Sequence, residues 1–196
     1  MSRIIYFEIS GKKYPLVATL AACMALEERH GGFPGFLQAV KREGLLCKAL
    51  MFGFYTFVRQ GVEYVNTFYR DIPLDEEIAR NEDGSAACLT MDEMAEQIKL
   101  SKVPEMVDAM DAAYRAGLEE TISAVRSADA KGARKSRSSN KLQWFVFLCR
   151  QLGIPYSEFH LLTLGEIQDL AICRAIQAGA MEETDVFSGN YIPDLK

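Results

Sequence analysis

"RIIYFEISGKKYPLV", residues 3–17, decides the fold class. Two short runs, 4–9 and 13–17, flank Ser10-Gly11, where glycine can take the positive φ of a tight hairpin turn. In the first run Ile5, Phe7 and Ile9 alternate with Tyr6 and Glu8, as one half-buried face of a strand requires. From Thr19 onward the apolar residues recur at three and four. The chain therefore reads as mainly α with a short N-terminal β-hairpin, an α+β protein.

The first helix runs from Thr19, with Leu20, Cys23 or Met24, and Leu26 on one face, to the stop at His30-Gly31-Gly32. Phe33, Phe36, Leu37 and Val40 predict a second helix ending near Gly44. Residues 45–69 are the most apolar part of the chain. Leu46, Leu50, Phe54, Phe57 and Val58, continued by Tyr64, Val65, Phe68 and Tyr69, form a stripe that reads as core, the alternative being a partner groove. The acidic, turn-rich 71–88 reads as a surface connection. Thr90 and Glu93 form a capping box, the threonine receiving the Glu93 N–H and the glutamate reaching back. Pro104 suits the first turn of the following helix, and Val107, Met110, Tyr114, Leu118, Ile122 and Val125 predict that this helix continues to 125.

Residues 126–141 hold six basic side chains (Arg126, Lys131, Arg134, Lys135, Arg137, Lys141) against one acid, Asp129. Without them the 22 basic and 27 acidic residues of the chain become 16 and 26, a formal charge of −10 instead of −5. The segment has no apolar residue larger than alanine and cannot bury enough surface to offset the entropy of ordering, so it is expected to be a flexible basic linker. That divides the chain into a helical body at 1–125, the linker at 126–141, a small helical docking domain at 142–180 and a tail at 181–196. In the small domain Leu142, Phe145, Leu148 and Leu152, with Trp144 beside them, make a helix stripe closed by Gly153 and Pro155. Residues 157–162 form a short turn, and Thr163 with Glu166 is a second capping box opening a helix that ends at Gly179.

The 49% hydrophobic and 25% charged composition fits a soluble globular chain, no apolar run is long enough for a membrane span, and the charged start lacks the pattern of a signal peptide. A cytoplasmic protein is expected. Five cysteines are scattered without a C-x-x-C pair, and neither His30 nor His160 has a His or Cys partner at metal-ligand spacing. No phosphate-binding glycine loop and no G-x-S-x-G elbow is present. His160 and Glu158 are two residues apart and do not share a helix face, and Glu166 and the Glu27, Glu28, His30 group are explained by helix ends. No catalytic, cofactor-binding or metal-binding residues are assigned, and the residues themselves point to a helical binding protein rather than an enzyme. The basic segment could hold nucleic acid by counterion release, but it has no aromatic residue for base stacking and both flanking bodies are acidic. A DNA-associated protein remains the alternative reading.

"YFEISGKKYPLVATLAACMALEERHG" resembles the opening of the tail assembly chaperones of long-tailed bacteriophages, a hairpin with a Gly-Lys turn before an apolar helix ending Leu-Glu-Glu. "LTMDEMAEQI" is similar to a later helix of those proteins, and "LGIPYSEFHLLTLGEIQDL" to their carboxy-terminal domain. The resemblance covers most of the chain in order, apart from the linker and the last fifteen or so residues. It implies a protein whose amino-terminal domain coats the long helical tape-measure protein and whose carboxy-terminal domain recruits tail-tube subunits, the chaperone being absent from the finished particle. Both domains in one chain match either a frameshifted long product or one continuous reading frame. Self-association is a further possibility. His160 stands where the family pattern leads one to expect an aromatic residue. Within the carboxy-terminal half Phe159 and Leu162, in a short turn with little helix around them, are the expected partner-binding residues, together with Trp144.

Overall fold

The computed structural model describes residues 3–43, 48–69, 77–122, 124–126 and 142–183. The hairpin is present as expected: β1 (Ile5–Ile9) and β2 (Lys12–Leu16) pair antiparallel with Ile9 opposite Lys12. Ser10 and Gly11 both take positive φ, 51° and 80°, the geometry that matches a two-residue turn to the twist of its strands. Phe7 and Ile9 are buried while Glu8 is exposed.

Behind the hairpin lie α1 (Leu20–His30), α2 (Phe33–Glu43) and the long α3 (Lys48–Phe68). The stripe on α3 is core, not a partner groove: Leu50, Phe54, Phe57, Val58 and Val65 have no accessible surface. Each such side chain contributes about 1.5 to 3 kcal/mol by leaving water. Phe7 meets Phe54 edge-on at 5.1 Å, which seats the hairpin on α3. Phe68, assigned to the same stripe by its spacing, is 40% exposed at the helix end, and Leu46 lies outside the described residues. Asn66 holds the 77–88 connection by a two-way bond to the backbone of Ala86, Nδ2–H to its carbonyl at 3.1 Å and its N–H to Oδ1 at 2.8 Å.

α4 (Met91–Gln97) opens with the Thr90–Glu93 capping box in both directions. The Glu93 carboxyl is held below its ordinary range, first by the Thr90 backbone N–H and then by its hydroxyl. After a 3-10 turn at Leu100–Lys102 comes α5 (Val103–Leu118), with Phe33 stacked on its Tyr114 at 4.2 Å.

α5 does not reach residue 125. It stops at Leu118, and β3 (Ala124–Arg126) pairs antiparallel with β4 (Met181–Glu183). The helical spacing of Ile122 and Val125 is therefore misleading. A side chain from a distant helix captures the N–H groups of Thr121 and Ile122, giving the backbone partners outside a helix. Arg126, assigned to the linker, and residues 181–183, assigned to the tail, are thus strand residues, while 127–141 and 184–196 lie outside the described residues.

The last elements are α6 (Leu142–Leu152), the single turn α7 (Tyr156–Phe159) and α8 (Leu164–Gln177). Their Phe145, Cys149, Phe159, Leu164 and Ile167 belong to the same buried cluster as the hairpin and α1 to α5. The small unit expected at 142–180 is packed onto the body, not held to it by a tether alone.

Candidate functional site

α1 and α8 begin side by side, and the stretch between α7 and α8 seals the first of them. The first N–H groups of any helix lack intrahelical partners. Here Leu20 N–H donates to the Leu162 carbonyl at 2.7 Å and Ala21 N–H to the His160 carbonyl at 3.0 Å. The Thr19 hydroxyl accepts from Ala22 N–H and donates to Gln60 Oε1 at 2.9 Å. Thr19 and Thr163, the caps of the two helices, are both fully buried and lie opposite each other as a bridge pair. Residues 157–167 dock, but on their own chain.

Phe159 is accordingly 3% exposed, and Leu162 is half-buried against the core. The expectation that this turn leaves them uncovered is corrected: Phe159 belongs to the shared buried cluster, with the Tyr156 ring edge-on to it at 5.1 Å, and Leu162 packs against that cluster. Trp144 is half-buried on α6 and stacks on Phe147 at 5.4 Å. His160 sits at the rim. Its Nδ1–H donates to the Tyr156 carbonyl at 2.7 Å, since a carbonyl can only accept, and Nε2 lies 3.5 Å from Glu63.

A polar junction that the sequence did not reveal joins the segment before β1 to α8. Asp169 Oδ2 receives Arg3 Nη2 and the Thr121 hydroxyl, both at 2.7 Å, and Oδ1 receives the N–H groups of Thr121 and Ile122 at 2.9 and 3.1 Å. Glu166 caps α8 with one oxygen. With the other it accepts the Tyr64 hydroxyl at 2.5 Å and faces Arg3 Nη1 at 3.4 Å. Burial, then the bond to Glu166, raises the Tyr64 hydroxyl well above the ordinary phenol range. Gly165 belongs here because a Cβ would overlap the Glu119 carbonyl, which itself accepts from Arg3 at 3.0 Å. Four donors occupy the Asp169 carboxylate, so it has no free face for a substrate. The junction fixes structure.

The open surface lies on the other side of α1. A groove of about 830 Å³ runs between α1 and α6, floored by Ala21, Ala25, Leu142 and Val146 and edged by Met24 and Phe147. Met24 is 39% and Phe147 47% exposed, and Tyr156 of α7 closes one end at 67%. Glu27 and Glu28 stand on the α1 rim and Arg150 on the α6 rim. Glu27 and Leu142 also line a second cleft of about 410 Å³ that reaches in to Cys23, Tyr114 and Phe145. There burial pushes the Cys23 thiol up to about 12 and, as the largest cause, raises the Tyr114 hydroxyl. Among the described residues no three His, Cys, Asp or Glu side chains are grouped to hold a metal, and no helix is long and apolar enough to cross a membrane.

Compared with protein-family models, with curated proteins and with solved structures, the chain finds no match. The groove's signal in the sequence was the surplus of apolar residues on α6: Phe145 and Cys149 fill the core, leaving Val146 and Phe147 for another face.

Proposed function

We propose that this protein is a tail assembly chaperone of a long-tailed bacteriophage or prophage, binding the tape-measure protein and recruiting tail-tube subunits in the bacterial host cytoplasm without entering the finished particle. The reading rests on the three family-like segments in their order along the chain. The observation in the fold that supports it best is the groove, an open apolar surface with one wall from each family-like half, α1 and α6. A long helical protein exposes apolar residues until it is covered by tube, and a groove of this kind offers temporary cover. Tube subunits then arrive at a client already held, so that the second encounter proceeds at the raised local concentration of a bivalent carrier.

Co-expression tests this. The tape-measure protein of the same phage should stay soluble and co-purify with the chain, and tube subunits should join only that complex. Insoluble tape-measure protein in the presence of excess chain contradicts the proposal. The basic residues of 126–141 favour DNA as the alternative partner. A mobility shift at moderate salt, abolished when the six basic residues are neutralised, would establish that reading instead.

A further inference from the structure

We infer that the groove between α1 and α6 grips about three turns of an amphipathic helix from another protein, apolar face down, with lysine or arginine along the edge that meets α1.

Both walls are ridges with helical spacing. On α1 these are Ala21, Met24, Ala25 and Glu28; on α6 they are Gln143, Val146, Phe147 and Arg150. A groove walled by helices presents no strand edge, so it has no row of backbone partners for an extended peptide. Its occupant must satisfy its own backbone hydrogen bonds, which a helix does. Ala21 and Ala25 let a third backbone come close, while the flexible Met24 at the rim can adjust to different side chains. α1 and α6 have 11 residues each, about 16 Å, which sets the occupant at roughly three turns with anchors at i, i+3 or i+4, and i+7. Charge sets its orientation. Glu27 and Glu28 flank one side and Arg150 the other, so a basic edge belongs against α1 and an acidic residue opposite Arg150. A second copy of this chain is the poorer occupant, because a two-fold axis brings concave surface to concave surface and leaves both unfilled. The inference rests on the chaperone reading for its natural client; the groove's physical demands on any occupant are independent of it.

The chain carries its own reporter. Trp144 is its only tryptophan and stacks on groove-lining Phe147. A tryptophan-free synthetic helix of about 14 residues, leucine on one face and lysine along one edge, is titrated into the full chain. Trp144 emission should change saturably, with the affinity read in parallel from the anisotropy of labelled peptide. Phe147→Asp, at an exposed position, should weaken binding about tenfold or more with the circular dichroism unchanged. Glu28→Lys should weaken the lysine-edged helix and strengthen one edged with glutamate. Unchanged emission and anisotropy, or a Phe147→Asp chain that binds as the parent does, overturns the inference. Equal binding of the two peptides overturns the charge assignment. Emission that changes with chain concentration alone puts a second copy in the groove and overturns the occupant. Peptide binding together with failure to capture tape-measure protein rejects the chaperone reading and leaves the groove assignment standing.

Discussion

Arg3 and Asp169, 166 positions apart in the chain, meet at 2.7 Å with both side chains largely withdrawn from water. The pair ties the residue before the hairpin to the middle of α8, and through Thr121 and Ile122 it also fixes where the backbone leaves α5. One carboxylate on α8 thus holds both Arg3 and the backbone that follows α5.

Removing Asp169 takes four hydrogen bonds from the junction and leaves Arg3 with Glu166 and the Glu119 carbonyl alone, while removing Arg3 leaves the Asp169 carboxylate held only by Thr121 and Ile122. Asp169→Ala is expected to cost about 3 to 5 kcal/mol. Arg3→Ala should be comparable, and the double variant should lose less than the sum because the two positions share one interaction. Urea melts of the three variants check this. Strict additivity would mean that the contact contributes nothing.

The two capping boxes differ in surroundings, so their threonines should differ in consequence. Thr163→Ala is expected near the upper end of the range for a lost cap, about 2 kcal/mol, since Thr163 is buried and its glutamate also binds Tyr64 and Arg3. Thr90→Ala, on the exposed α4, should cost clearly less. It should also let the Glu93 carboxyl rise toward its ordinary range, because the Thr90 hydroxyl is one of the groups holding it down. Thermal melts rank the first pair of effects, and a carboxyl titration by NMR reads the second.

Alkaline pH should loosen the fold through its buried thiols. In the folded chain Cys23 is pushed up to about 12 and Cys149 to about 11, in both cases by burial, against an ordinary value of 9.0. A folded-state value above the unfolded one means that the unfolded chain gives up its proton first. The stabilisation is complete below pH 9 and is lost as pH rises toward 11 and 12. Cys23→Ala should flatten the decline of stability over that window. At neutral pH a thiol reagent should label exposed Cys88 and Cys173 first, and Cys23 and Cys149 only as fast as the protein opens, in a Cys47→Ser background. Rapid labelling of Cys23 would contradict its burial.

What could be read from the sequence was local. The hairpin follows from alternation and a Ser-Gly turn, and the starts of α1, α4 and α8 from a threonine placed before an apolar repeat. The end of α5 could not be read. Ile122 and Val125 keep helical spacing, and only a carboxylate 47 positions beyond Ile122 draws the backbone away. For the same reason Phe159 and Leu162 looked uncovered: their turn is hydrogen-bonded to the N-terminus of α1, remote in sequence, and their side chains join a core that the whole chain builds. Phe147, the groove residue with most to contribute, was missed because its stripe was read as a single face, whereas α6 has two.

Both halves of the chain build one body and, between α1 and α6, one groove. Limited trypsinolysis followed by size exclusion separates one body from two tethered units. Residues 127–141 hold five of the basic side chains and no large apolar residue, so the first cuts are expected there. The nicked protein is expected to elute at the position of the intact chain, both fragments together, held by the Arg3–Asp169 pair, the Thr19–Thr163 bridge and the shared core. Fragments that separate under native conditions would contradict it, and with it the composite groove.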